Sequence, residues 1–261
     1  MSNKSNNSFT LGDRMKRAEK VSKRYLSIRT PVVIRIDGKA FHTYCRSFEK
    51  PFSDDLHNIF CRSVMSVMRD CGISGAKLAY FQSDEISILL TDWSTNETQA
   101  YFDYNVSKLE SVISSMMTAH FNFEVAQYWQ NLCCSNLTFG GKLAYFDARA
   151  FNLSKEEVVN YFIWRQQDAS RNSVQMLGSV HFSVSELHSK NNKQVQEMLL
   201  LQKNINWNDL PTWQKRGTCI KYFSNAVDDN GIQKYDNGYI MDEEIPIFTS
   251  DRDYISDLLL V

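Results

Sequence analysis

The chain has 261 residues, of which 43% are hydrophobic and 23% are charged, a composition typical of a globular protein with a substantial core. Its formal net charge of -1 argues against a strongly basic nucleic-acid binder. The cysteines form no CxxC pair, and no histidine lies at finger-like spacing from two of them, so we expect reduced thiols. No apolar run approaches the roughly 20 residues of a membrane helix, and the first ten residues are polar, so we predict a cytoplasmic protein without a membrane segment.

The first half of the chain predicts alternating helices and strands. In chain order these are a basic amphipathic helix at 9–26, a buried strand at 31–36, a helix from Ser53 to Gly72, strands at 78–82 and 85–91, a helix at about 98–129 and a strand at 143–146. From the first strand onward, this order matches the split βαββαβ unit of ferredoxin-like α+β domains. In that topology the first and third strands are antiparallel neighbours, so Asp37, which closes one, should lie beside Asp84 and Glu85, which open the other.

The second half predicts more helix. Ser154 begins an S-x-x-E capping box, followed by a helix at 158–168 and a further helix at 171–177 that Gly178 would stop. A strand is expected at 217–223 and a turn at 229–231. We interpret residues 151–261 as a helical and β-containing extension packed on residues 1–150, with no clear linker between them.

Two carboxylates that meet at one sheet edge favour a magnesium site, because Mg²⁺ takes hard oxygen ligands and bridges to phosphates. Asp37-Gly38 and Asp84-Glu85 are each also typical of ordinary turns, and only their predicted proximity favours a cation. Lys39, His42 and Lys50 follow within a short stretch and could hold a triphosphate, or could be a solvated loop. The sequence contains neither a G-x-x-x-x-G-K-[ST] phosphate loop nor a GxGxxG motif.

Several separated motifs occur in order along most of the chain, between about residues 10 and 225. They are VIRIDGKAFH at 33–42, FEKP at 48–51, YFQSDE at 80–85, YFIWRQQD at 161–168 and LPTWQKRGT at 210–218. Together they resemble the tRNA(His) guanylyltransferase family. Eukaryotic members carry a His-Ile-Asn-Asn run after the Trp-Arg-Gln of the fourth motif, whereas this chain has ASRNSV at 169–174. In this respect the chain is similar to the bacterial-type guanylyltransferase-like members.

The resemblance implies a polymerase-type palm within residues 1–150, on the ferredoxin-like frame. It implies that Asp37, the Gly38 carbonyl and Asp84 bind two Mg²⁺ ions, with Asp37 and Asp84 as the catalytic residues. The residues implied around the nucleotide and its triphosphate are Lys39, Ala40, Phe41, His42, Lys50, Ser83 and Lys108. The residues implied at RNA or phosphate are Arg149, Arg165, Asn172, Lys215 and Arg216.

The resemblance also implies an activity, in which nucleotides are added in the 3′-5′ direction to the 5′ end of tRNA after activation by ATP or GTP. The bacterial-type motifs favour template-dependent repair of 5′-truncated tRNA. Strict addition of one 5′ G to tRNA(His) is the first alternative. A nucleotide cyclase and a non-catalytic ferredoxin-like RNA-binding module are the others. The family further implies a homotetramer, arranged as a dimer of dimers.

Overall fold

The centre of the structure, a computed structural model that describes residues 9–133, 141–223 and 238–260, is a six-stranded antiparallel sheet. Its strands are β1 Val32–Gly38, β2 Ala76–Gln82, β3 Glu85–Leu90, β4 Phe146–Asn152, β5 Thr218–Tyr222 and β6 Tyr239–Asp242, in the order β4-β1-β3-β2-β5-β6. β1 and β3 pair antiparallel with Asp37 opposite Glu85, which confirms the predicted neighbours. The first four strands have the order of a split βαββαβ unit, and β5 and β6 extend it.

Helices cover both faces of this sheet. They are α1 Leu11–Lys20, α2 Phe41–Tyr44, α3 Asp54–Asp70, α4 Val106–Cys133, α5 Lys155–His181, α6 Val184–Leu187, α7 Asn192–Lys203, α8 Thr212–Arg216 and α9 Asp253–Ser256. One face buries Ile34 and Ile88 against α3 and α4, where Phe60 and Phe121 lie in the same apolar cluster. The other face buries Val33 and Leu89 against α5 and α9. The antiparallel sheet is therefore covered on both sides, in agreement with the predicted mixed α and β architecture.

The second half differs from the prediction in one important way, because α5 is a single helix of 27 residues. Gly178 lies inside it and does not stop it. A Cβ at this position would lie 2.7 Å from Cγ1 of Val195 on α7, so glycine lets the two helices approach closely. Ser154 is at the N-cap as predicted, but its side chain makes no capping hydrogen bond, so the capping box does not form.

Other predicted boundaries shift. α1 ends at Lys20 rather than near residue 26, and α4 begins at Val106 rather than near residue 98. The backbone has positive φ at residues 102–104, and the Asn105 side chain accepts a hydrogen bond from the Lys108 amide at 3.1 Å, so the helix begins only there. β4 occupies 146–152 instead of 143–146. The turn predicted at 229–231 lies outside the described residues.

Within the described ranges, no helix has the length and apolar character needed to cross a bilayer. The division into residues 1–150 and 151–261 stays a prediction. The strands β5 and β6 of the second part join the same sheet as β1–β4 of the first.

Candidate active site

Two acidic residues lie at one end of the sheet, where β1 finishes and β3 starts. Asp37 precedes the last residue of β1, and Asp84 completes the tight turn between β2 and β3, in which Ser83 has a φ of 55°. Gly38 lies directly against this turn, because a Cβ added to it would be only 2.9 Å from both Cβ and Oδ2 of Asp84. The missing side chain therefore allows the end of β1 to approach the Asp84 carboxylate.

The environment of Asp84 disfavours its negative charge. Burial, with a smaller contribution from the neighbouring carboxylates of Asp37 and Glu85, raises the pKa of Asp84 to about 6. A hydrogen bond from the Ser83 hydroxyl at 3.1 Å acts in the opposite direction. Crowded carboxylate oxygens with a raised pKa favour a cation between them, and Mg²⁺ is a cation that prefers such oxygen ligands.

A buried arginine, Arg165, forms an ion pair with Glu85, the third acidic residue beside Asp37 and Asp84. Arg165, on α5, is 7% exposed and donates from Nη1 to both carboxylate oxygens of Glu85 at 2.9 and 2.8 Å. Its Nη2 lies 3.5 Å from Asp168, and its guanidinium stacks 3.5 Å from the centroid of the Trp164 ring. Of the three acidic residues Asp37, Asp84 and Glu85, the Arg165–Glu85 pair therefore leaves Asp37 and Asp84 without a described ion pair.

The carboxylates open into a cleft of ≈ 360 Å³ between the sheet end and α5. Its wall on the sheet is formed by Asp37, Tyr80, Gln82, Ser83, Asp84 and Glu85. Its wall on α5 is formed by Arg165, Asp168, Ala169, Asn172, Gln175 and Met176. A polar stripe with a spacing of three and four residues thus runs along the helix opposite the acidic turn.

The predicted nucleotide-binding residues 39–42 form the turn that follows β1. Ala40 has a φ of 52°, and the Phe41 ring points into the core with centroids 5.0–5.6 Å from four other aromatic rings. Lys39 and His42 are exposed on either side of this buried anchor. Lys50 is also exposed, and both Lys50 and Asp84 influence the pKa of the Cys45 thiol, which burial raises to about 12. These residues therefore gather at the same end of the sheet as Asp37.

Lys108 is not brought to this group. It lies in the first turn of α4, and Glu110 in the same turn accepts a hydrogen bond from the Ala150 amide of β4. Ala150 is four residues along β4 from Phe146, which pairs with Gly38. At about 3.3 Å per residue, the start of α4 is displaced by roughly 13 Å along the sheet from the Asp37 end. The ammonium of Lys108 lies 5.4 Å from the Phe102 ring centroid instead.

The predicted RNA-binding residues occupy three places. Arg149 is exposed on the edge strand β4, Asn172 lies in the cleft, and Arg165 is buried beside Glu85. Lys215 donates to the Asn208 carbonyl at 2.6 Å, and Arg216 donates to the Ile245 carbonyl at 2.9 Å. These last two line a separate cavity of ≈ 580 Å³ that also contains Trp164, Trp207 and Arg171.

A third, narrower pocket adjoins the cleft and was not predicted. It shares Gln82, Ser83 and Met176 with the cleft and is otherwise lined mainly by apolar and aromatic side chains. In its wall the His57 ring stacks on Trp213, with centroids 4.0 Å apart and an interplanar angle of 6°. No local motif predicts this pocket, because it brings residues 51–60 together with residues 213–218, which are more than 150 positions further along the chain.

Comparisons with known proteins agree on one family. A model of the tRNAHis guanylyltransferase family matches residues 12–154. A bacterial tRNA(His) guanylyltransferase-like protein in complex with ATP has 42% sequence identity and a TM-score of 0.84, with 97% of this chain and 100% of that chain covered. The corresponding complex with GTP has 40% identity and a TM-score of 0.79, with 96% and 99% covered. The tRNA(His) guanylyltransferase of Schizosaccharomyces pombe is 32% identical over 206 residues, which are 72% of each chain.

Proposed function

The chain belongs to the tRNAHis guanylyltransferase family and is a nucleotidyltransferase, and from this premise we propose that it adds nucleotides in the 3′-5′ direction to the 5′ end of tRNA. We propose template-dependent repair of 5′-truncated tRNA as its role, with ATP or GTP as the activating nucleotide. The structural relatives in complex with ATP and with GTP support this choice of nucleotides. Their bacterial origin supports repair rather than strict selection of tRNA(His).

The single observation that carries the proposal is the convergence of Asp37, Gly38 and Asp84 at one end of the sheet. The donors are two carboxylates and the Gly38 backbone carbonyl, which are the hard oxygen ligands that Mg²⁺ prefers. Gly38 fits this role because any side chain there would collide with Asp84. We therefore propose that these three residues hold two Mg²⁺ ions, which when bound would stabilise charge on the attacking and leaving oxygens at phosphorus.

The protein's own residues would orient two successive displacements. In the first, the tRNA 5′-monophosphate attacks the α-phosphorus of ATP or GTP, and pyrophosphate leaves. In the second, the 3′-hydroxyl of the incoming nucleotide attacks the activated 5′ phosphate, and the nucleoside monophosphate leaves. The exposed cations Lys39, His42 when protonated, and Lys50 would offset the triphosphate charge. Phe41 and Ala40 would fix the turn that presents them, and Ser83 would face the phosphates across the cleft.

The extension would hold the RNA. Asn172 faces the cleft from α5, and Lys215, Arg216 and Trp164 line the neighbouring cavity, where stacking and phosphate pairing suit single-stranded RNA ends. We propose that residues 1–150 form the palm-type catalytic part and residues 151–261 form this RNA-holding part. The assembly we propose is a homotetramer, and light scattering after size exclusion tests it.

The direct test uses a 5′-monophosphorylated tRNA that lacks one nucleotide, with Mg²⁺, ATP and each nucleoside triphosphate in turn. Nucleotide addition should require Mg²⁺, and the nucleotide that is added should be complementary to the base on the opposite strand. Addition of guanosine whatever the opposite base, and only to tRNA(His), would instead support the strict guanylyltransferase.

Variants of the acidic pair test the site itself. Asp37→Asn and Asp84→Asn should each reduce the rate of nucleotide addition by at least about 1,000-fold while the circular dichroism spectrum stays native. Each variant removes a proposed ligand of the Mg²⁺ ions on which both displacements would depend. Asp70→Asn, at the far end of α3, is the matched control and should retain activity. Full activity in either site variant would remove this site from the mechanism.

Two other activities remain distinguishable by their products. A nucleotide cyclase would convert ATP alone into a cyclic nucleotide, which chromatography detects. A non-catalytic RNA-binding module would bind tRNA without any product, and its binding would not depend on Asp37. Either result would replace the proposed function.

A further inference from the structure

A histidine, a cysteine and a glutamate from distant parts of the chain converge beside β6. His57 and Cys61 lie one turn apart on α3, and Glu243 follows the last residue of β6. Nε2 of His57 lies 2.7 Å from Oε1 of Glu243 and 3.4 Å from Sγ of Cys61. One ligand atom from each residue falls within 4.8 Å of the other two, and no other group of three such residues occurs in the described part of the chain.

This arrangement is difficult to satisfy with protons alone. Nε2 carries at most one hydrogen, and if it donates that hydrogen to Glu243, the Cys61 thiol is left with only a long 4.0 Å contact to Nδ1, although its sulfur lies nearer to Nε2. The site is also sheltered, since the Cys61 residue is 5% exposed and the His57 side chain 11%.

A transition-metal ion would satisfy all three groups at once. Nitrogen, thiolate and carboxylate are the ligand types of Zn²⁺, whose bonds of about 2.0–2.3 Å place tetrahedral ligands roughly 3.5 Å apart. The distance from Nε2 to Sγ already matches this spacing. Glu243 is 49% exposed in its side chain, so its carboxylate has room to adjust from its present 2.7 Å contact. The aromatic ring of Trp213 stacks on His57 and holds the imidazole in place.

We propose that His57, Cys61 and Glu243 bind one Zn²⁺ ion, with a fourth position open to water. On binding, the Cys61 thiol would lose its proton to solvent as the sulfur–zinc bond forms, and the imidazole hydrogen would move from Nε2 to Nδ1 by exchange with solvent, so that the neutral ring offers its Nε2 lone pair to the metal. The ion ties α3 to the end of β6, across 186 positions of sequence. It thereby fixes one wall of the apolar pocket beside the cleft, and this site is separate from the proposed Mg²⁺ site.

Cobalt substitution tests the site on the full chain. After treatment with a chelator and its removal, addition of CoCl₂ should give one equivalent of bound Co²⁺ per chain, with a thiolate-to-cobalt charge-transfer band in the near ultraviolet. Zn²⁺ should displace the band. Cys61→Ser should abolish it, and Glu243→Gln, at a half-exposed position, should weaken Zn²⁺ binding by more than tenfold.

The chain provides a matched control at the C-cap of the same helix. Cys71 also lies beside a histidine, with Sγ 3.3 Å from Nε2 of His120, but no third metal-binding group joins them within the described ranges. Cys71→Ser should therefore leave the cobalt band unchanged. A 100-fold excess of Zn²⁺ over its Kd should raise the Tm by roughly 5 °C in the wild type and not in Cys61→Ser. Absence of the band in the wild type, or its persistence in Cys61→Ser, would overturn the proposal.

Discussion

Asparagine in place of Asp84 should stabilise the metal-free protein at neutral pH. Burial and two nearby carboxylates raise the pKa of Asp84 from 3.8 to about 6. At about 1.4 kcal/mol per pKa unit, ionisation of Asp84 costs the folded state roughly 3 kcal/mol above pH 7. The Ser83 hydrogen bond, worth about 1 kcal/mol, is weakened in the variant. The net gain is then about 2 kcal/mol, or roughly 5 °C in Tm.

The effect of Asp84→Asn on stability should change with pH. Because the pKa of Asp84 is raised by folding, the folded state retains a proton that the unfolded chain has already released between pH 3.8 and about 6. The penalty is therefore absent below pH 3.8, grows through this window and is complete above it. Asp84→Asn should match or fall below the wild type at pH 3.5 and exceed it at pH 7.5.

The assay is thermal unfolding in EDTA at both pH values, followed by a titration with Mg²⁺. Mg²⁺ should raise the Tm of the wild type and not that of Asp84→Asn. Asp70→Asn is the control of opposite sign, because a hydrogen bond from Arg69 lowers the pKa of Asp70 and the substitution removes that favourable contact. A lower Tm for Asp84→Asn at pH 7.5 in EDTA, or a gain that does not depend on pH, would contradict a destabilising charge on Asp84.

Three further predictions concern the same end of the sheet. Gly38→Ala should lower kcat/KM on the order of 100-fold, because its Cβ would lie 2.4 Å from the Phe41 ring and 2.9 Å from Asp84 and would displace both, whereas Gly12→Ala, with no atom nearer than 3.7 Å, should not. Arg165→Met should lower the free energy of unfolding by about 3 kcal/mol, since it leaves Glu85 without its cation, and Glu85→Gln in the same chain should restore part of that loss in urea denaturation. At subsaturating Mg²⁺, the rate of nucleotide addition should fall below pH 6, because protonation of Asp84 in the metal-free site weakens cation binding, and an apparent Mg²⁺ affinity that does not change with pH would contradict its role.

The parts of the fold that sequence patterns predict are those where local signals agree with topology. The apolar run of β1 and the Ser-Asp turn before β3 suffice to place Asp37 beside Glu85, because the βαββαβ order fixes which strands are neighbours. β4 was predicted several residues too early. It is an edge strand in which buried Phe146 and the half-buried Ala148 and Ala150 alternate with exposed Asp147 and Arg149, so its apolar signal is weak compared with the preceding segment.

Two predicted boundaries in the second half, a break near residue 170 and a stop at Gly178, both fall inside the continuous helix α5. Glycine is a residue that commonly ends helices, yet Gly178 lies inside one. Its close contact with Val195 explains this, and because Val195 is 17 positions further along the chain, local sequence patterns do not reveal it. Division of this segment near residue 170 also separated Arg165 and Asp168 from Asn172 and Gln175. Their spacing places them on one face only when the helix is continuous. The Arg165–Glu85 ion pair joins residues 80 positions apart, a separation that local sequence patterns do not span.

Because Phe41 is buried, nucleotide transfer by this protein should depend on how tightly its aromatic core is packed. The only side chain that anchors the turn between Lys39 and His42 in the described contacts is inserted among Phe60, Phe121 and Phe146, which belong to three different elements. Loosening of that aromatic packing would release the turn long before the chain unfolds as a whole. Heating should therefore abolish nucleotide transfer at a lower temperature than it abolishes the helical circular dichroism signal. Substitutions far from any phosphate, such as replacement of Phe121 by a smaller residue, should lower the temperature at which activity is lost.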